Sequence, residues 1–216
     1  MFSEKYRRHS RFMRNIRLFI TLLFSFMLLQ VVPLYAGEPS NQMKQTIDSV
    51  LDILRNKELK RPGMTQQRRV AIWKILAERF DFDEMAKRSL ALHWRKRSPE
   101  EKKEFAALFS DLLENTYISK IERYQDEKIQ YAGETIYNGY ASVKTRIITE
   151  KNIEIPIEYR LLKENNNWKV YDVVIEGVSL VNNYRTQFND VISASSYGEL
   201  IKKMKKKQEE FRKESS

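Results

Sequence analysis

The side chains that could carry chemistry are few. The chain has no cysteine, which removes thiolate zinc sites, iron–sulfur clusters, disulfide frameworks and cysteine nucleophiles. Two histidines, His9 and His93, are too few for a multi-histidine metal centre. His93 sits beside Trp94, Arg95 and Lys96 and reads as a loop or helix-end residue. Asp81, Asp83 and Glu84 form a carboxylate cluster at the start of a helical pattern, where capping accounts for them. No GxGxxG, Walker-type or G-x-S-x-G motif occurs. The most distinctive stretch is Trp168 to Leu180, WKVYDVVIEGVSL. Its Asp172 and Glu176 are carboxylates in a mostly apolar run. One reading makes either a base beside Tyr171, acting on an apolar small molecule, which needs the acid to face a pocket with a raised pKa. The other has them bonding turn backbone or a nearby arginine. The residues imply no metal and no cofactor.

The elements that position this run read as helices, then strands, then helices. Met43, Ile47, Val50, Leu51 and Leu54 share a helical face over residues 40–57, ended by Arg61-Pro62-Gly63. A second helix is expected from Thr65 to Phe80, and a short third one carries Phe82, Met85 and Leu90. Ser98-Pro99-Glu100-Glu101 has a capping residue, a proline at the first helical position and Glu101 at the capping-box position. The helix it starts runs to about Tyr124, with a broad apolar stripe that includes Phe105, Leu108, Phe109, Leu112, Leu113 and Tyr117.

The period then changes to two. Asn138-Gly139 is a hairpin turn between strands at 128–137 and 140–150. A third strand, 153–162, alternates Ile153, Ile155, Ile157, Tyr159 and Leu161 with Glu154, Pro156, Glu158 and Arg160. Pro156 points to an edge strand or a bulge. Asn165-Asn166-Asn167 turns into a fourth strand, Trp168 to Ile175, which Gly177 ends, and Ser179 is placed to cap the next helix. Residues 179–193 and 197–213 return to helical spacing. The expected class is α+β: helices on one face of a twisted antiparallel sheet of about four strands, with an apolar hollow between the layers.

The net charge of +10 is concentrated at the two ends. Lys5, Arg7, Arg8, Arg11, Arg14 and Arg17 precede an apolar run at 18–32, and Pro33 to Ala36 precede Gly37. That order reads as a secretory signal peptide over 1–36, cleaved near Ala36, which sends the chain to a periplasm; the other reading is an uncleaved inner-membrane anchor, for which the run is shorter than the about 20 apolar residues a span needs. A binding domain follows at 37–201. Lys202, Lys203, Lys205, Lys206, Lys207, Arg212 and Lys213 give a basic helical tail at 202–216, either solvated or suited to transient contact with an anionic membrane surface. The nearly balanced middle of the chain argues against nucleic acid as a partner.

The pattern W-x-x-Y-D-x-x-x-E-G-V-S-L, followed by Tyr184-Arg185 and Phe188, resembles the MlaC family, also known as Ttg-type toluene-tolerance proteins. Trp94, Ser98-Pro99-Glu100-Glu101 and the Phe105–Tyr117 stripe look like the same family, and the resemblance spans roughly residues 40–205. It implies an NTF2-like cone that holds phospholipid acyl chains without catalysis. It also implies shuttling between an outer-membrane lipoprotein complex and an inner-membrane ABC transporter, which maintains outer-membrane lipid asymmetry. A hopanoid or another apolar ligand is the alternative cargo. The implied lipid walls are the long-helix stripe named above and the strand residues Val143, Ile147, Ile155, Ile157, Tyr159, Val173 and Ile175. Tyr184, Phe188 and Ile192 of the closing helix complete them. The corner from Tyr171 to Ser179 is expected to shape the pocket without necessarily touching lipid.

Overall fold

Helical and strand periodicities become separate elements in the computed structural model, which describes residues 37–214. The segment read as a signal peptide, 1–36, lies outside the described residues. Five helices and the strands are α1 (Glu38–Arg55), α2 (Thr65–Arg79), α3 (Phe82–Leu90), α4 (Pro99–Glu122), β1 (Lys128–Tyr137), β2 (Tyr140–Ile148), β3 (Glu154–Glu164), β4 (Asn167–Ile175), β5 (Val178–Ser179) and α5 (Leu180–Ala194). Helix α6 (Tyr197–Glu214) ends the described chain, and a 3-10 turn (Ala91–Lys96) links α3 to α4. Asp81 caps α3, accepting the Glu84 N–H at 2.8 Å. The capping box of α4 is complete: Ser98 Oγ accepts the Glu101 N–H at 3.2 Å and Glu101 Oε2 accepts the Ser98 N–H at 2.8 Å.

The strands form one antiparallel meander in the order β1-β2-β3-β4-β5. Asn138 and Gly139 both have positive φ, 48° and 77°, as the two-residue turn between β1 and β2 requires. Glu176 and Gly177, at 50° and 83°, make the same kind of turn and add a short fifth strand to the four expected. Pro156 lies in β3, which is paired on both sides, rather than at an edge. Its carbonyl accepts the Glu176 N–H at 3.0 Å, just where β4 has ended. A strand residue directs its N–H and C=O to the same side, so the proline occurs where no ladder donor is needed.

Three cores hold the layers. Met85, Leu90, Phe105, Phe109, Phe188 and their neighbours join α3, α4, α5 and α6. Met43 of α1 packs on Val143, Leu161, Trp168, Val170 and Val173 of the sheet. Val50 and Leu54 of α1 meet Ile72 of α2 and Ile118 of α4. Helix α6 runs unbroken through the basic stretch, and Leu200, Ile201 and Met204 are buried along it.

Candidate functional site

Residues directly opposed across antiparallel strands share one face, so the register defines which residues line the inner side of the sheet. Four rows cross the inner side: Ile129/Ile147/Ile155, Tyr131/Thr145/Ile157/Ile175, Glu134/Val143/Tyr159/Val173 and Ile136/Ala141/Leu161/Val170. The rows are filled unequally. Val143, Leu161 and Val170 are fully buried, under α1 and beside Trp168. Toward the β2–β3 hairpin, Ile129, Ile147, Ile155, Ile157 and Ile175 are only half-buried. The middle of the sheet is therefore packed, whereas its hairpin end and its β1 edge, where Tyr131 and Ile136 are exposed, are apolar and left partly uncovered by its own helices. Helix α1 lies over this face, with Met43 and Ile47 packed against it. Burial pushes the phenols of Tyr131 and Tyr159 upward.

The wall residues expected from sequence fall into two groups. Val143, Val173, Ile157, Tyr159 and Ile175 are brought together on the inner sheet face, and Ile147 and Ile155 extend that face as a cross-strand pair. Phe105, Leu108, Phe109, Leu113, Tyr184 and Phe188 instead form the helical core, with Leu112, Tyr117 and Ile192 against it. Phe109 lies 5.2 Å from Tyr184 and 5.6 Å from Phe188, ring centre to ring centre. Phe80 and Leu180 pack against both groups. Sequence reasoning gave neither a wall role. It also omitted Ile129 and Tyr131 from the inner sheet face, although they alternate correctly up to Ala132, the extra residue of a β-bulge before Gly133.

Asp172, at the corner, has structural partners. Asp172 lies on the opposite side of β4 from Val173, since successive strand residues alternate. Its Oδ1 accepts the Val181 N–H at 3.0 Å, and its Oδ2 accepts the Ser179 hydroxyl at 2.7 Å and Arg160 Nη1 at 3.2 Å. Ser179 in turn accepts the Asn182 N–H and caps α5. Asp172 is thus a strut, and Glu176 is exposed in its turn, so neither acid faces the apolar rows as the base reading requires. Tyr171 is the extra residue of a second bulge, opposite Arg160 and Leu161, and the Arg88 guanidinium covers its ring at 4.0 Å. The corner lines a polar cavity of about 660 Å³ with Arg88, Arg160 and Arg185. His93 pairs with Asn189 at 3.2 Å, tying the 3-10 turn to α5.

Arg79 anchors the site's roof. Its guanidinium donates to Thr46 Oγ1 at 3.0 Å, Gln42 Oε1 at 2.6 Å and the Trp168 carbonyl at 2.6 Å. Gln42 Oε1 also accepts the Trp168 N–H at 2.9 Å. One side chain thereby holds α1 and α2 to β4.

The geometry has counterparts among known proteins. A phospholipid-binding protein from Ralstonia solanacearum, solved in complex with a phospholipid, has the same fold: TM-score 0.74 at 23% identity, covering 82% of this chain and 99% of that one. The toluene tolerance protein ttg2D of Pseudomonas putida is 26% identical over 178 residues, 80% of each chain. The intermembrane phospholipid transport system binding protein MlaC of Haemophilus influenzae is 25% identical over 120 residues, 53% of this chain and 56% of that relative's length. The family model for the MlaC protein matches residues 44–206, most of the described chain, and the protein belongs to the MlaC family.

Proposed function

We propose that this protein is a periplasmic phospholipid carrier that holds acyl chains against the inner face of its sheet. The observation that carries the reading is the uneven filling of that face. A closed core would bury Ile147, Ile155, Ile157 and Ile175 as completely as Val143 and Leu161, and it does not. Membership of the family, the names of the relatives and the fold shared with a lipid-complexed protein support the same cargo.

The energetics suit a shuttle. Each buried methylene contributes about 0.8 kcal/mol, so two chains of about 16 carbons exceed roughly 20 kcal/mol. Escape through water is therefore slow. A wall of Ile, Val and Tyr rings imitates a bilayer interior and makes transfer between protein and membrane nearly neutral. It distinguishes weakly among acyl chains, because it offers few directional bonds. The expected partners are an outer-membrane lipoprotein complex and an inner-membrane ABC transporter, reached after export by the leader at 1–36. No described helix is long and apolar enough to cross a membrane. The exposed lysines of α6, Lys202 at 79% among them, suit brief contact with anionic surfaces on the way.

Native mass spectrometry of protein purified from the periplasm tests the reading. The expected spectrum carries the added mass of one phospholipid, and tandem fragmentation distinguishes it from a hopanoid. A bare polypeptide under gentle ionisation would overturn the carrier assignment.

A further inference from the structure

The first turn of α1 is fixed to the sheet where the described chain begins. Pro39 and Ser40 are buried there. The Ser40 N–H donates to Oε2 of Glu134 at 2.6 Å. Glu134 faces inward because the bulge at Ala132 resets the alternation of β1, with Gly133 at a φ of 145°. The second carboxylate oxygen closes on Gly37. A β-carbon built on Gly37 would lie 1.8 Å from Oε1. Position 37 thus admits no side chain while Glu134 keeps its bond to Ser40. The Gly37 nitrogen is two bonds from that same point, so it lies within about 5 Å of Oε1.

Gly37 is also the first residue after the segment read as a leader. While Ala36 is attached, the Gly37 nitrogen is a neutral amide. Hydrolysis of the Ala36–Gly37 bond by a leader protease consumes one water, leaves a carboxylate on Ala36 and frees an ammonium on Gly37. We infer that Glu134 is the receptor for this new ammonium, so that processing before Gly37 creates a charge whose counter-ion is already in place. The inference rests on the export reading above. The same carboxylate faces the positive end of the α1 dipole, so it serves the helix before cleavage and the terminus after it. The nearby Glu38 does not compete. It accepts Trp168 Nε1 at 3.2 Å and pairs with Lys163 at 3.5 Å. The consequence is a chain whose α1 is tied more firmly to β1 once the leader is gone.

The test has two parts. N-terminal sequencing of the exported protein is expected to read from Gly37. Chains beginning at Gly37 and at Tyr35 are then unfolded in urea, each with Glu134 or with Glu134→Gln, whose amide oxygen still accepts the Ser40 N–H. The two-residue extension is expected to shift the unfolding equilibrium by roughly five-fold toward the unfolded state in the Glu134 background. It should have no effect in the Glu134→Gln background. Acetylating the Gly37 terminus removes the charge without touching Glu134 and should reproduce the effect of extension. Equal effects in both backgrounds, or none from acetylation, overturn the inference. A processed terminus at another residue overturns it too, yet leaves export standing. An unprocessed chain in the membrane fraction also overturns it and leaves export standing, whereas an unprocessed chain in the cytosolic fraction would remove the export reading itself.

Discussion

Asp172 reaches across the corner between β4 and α5 and accepts the backbone N–H of Val181 at 3.0 Å. Through its other oxygen it also holds Ser179, the residue that caps α5. A strand, a turn and a helix thus meet on one buried carboxylate. The most distinctive motif in the chain is, in its structural role, a fixed corner brace.

Asp172→Ala is therefore expected to destabilise the fold by about 2–3 kcal/mol, because it strands a buried N–H and frees the hydroxyl of the cap. Asp172→Asn keeps an acceptor oxygen and should lose less. Urea unfolding followed by circular dichroism separates the two. Equal, negligible losses would show that the corner stands without the carboxylate.

The two groups of apolar residues should respond differently to substitution. Ile155→Arg places a charge on the half-buried end of the sheet face, and protein purified from cells is expected to be folded but lipid-free. Phe109→Ala empties the middle of the helical core, where the ring is completely buried. It should cost about 3–5 kcal/mol and lower the melting temperature first. Native mass spectra and melting curves of both variants check this. Lipid retained at full occupancy by Ile155→Arg would contradict the wall assignment.

Arg79→Lys preserves the charge and loses the geometry. A lysine cannot reach Thr46, Gln42 and the Trp168 carbonyl together. The expected loss is about 1–3 kcal/mol, with faster amide exchange in α1 and at the start of β4. Hydrogen exchange read by mass spectrometry localises the effect. Unchanged protection across α1 would mean that packing alone holds the roof.

Alkaline pH should weaken the helical core. Burial pushes the Tyr197 phenol up to about 12, with Glu101 adding to the shift and Arg97 opposing it. Burial likewise pushes Tyr117 up to about 12. Both phenols ordinarily titrate near 10.0. A raised native pKa means that the folded state holds its proton longer than the unfolded state. The stabilisation is complete below pH 10 and disappears as pH rises through 10 toward 12. Tyr197→Phe should flatten part of that fall and remove one late phenolate from the absorbance titration at 295 nm. A Tyr197 that ionises with the exposed tyrosines would refute the assignment.

Local signals carried much of this fold. The capping box at Ser98 and Glu101, the Asn138-Gly139 turn and the alternation from Ile155 to Leu161 each act within a few residues, and each is realised. Pro156 shows the limit of such reasoning. Its effect depends on whether a neighbouring strand needs its missing N–H, and that neighbour ends elsewhere in the chain. The candidate site was legible as a list of apolar residues and illegible as a shape. Phe109 and Ile155 are equally apolar in sequence, yet one fills a core and the other remains half-open.

The amino-acid sequence alone determined the helices, the meander, the lack of thiol chemistry and the motif by which the chain resembles its family, because these depend on residue type and short spacing. Only the tertiary structure decided that the helical stripe and the sheet face form separate cores, that Asp172 is a strut, and that Glu134 meets the start of α1. Those outcomes follow from bulges at Ala132 and Tyr171, which reset the facing of every later residue in their strands, and from contacts between residues about a hundred positions apart. Neither leaves a periodic trace along the chain.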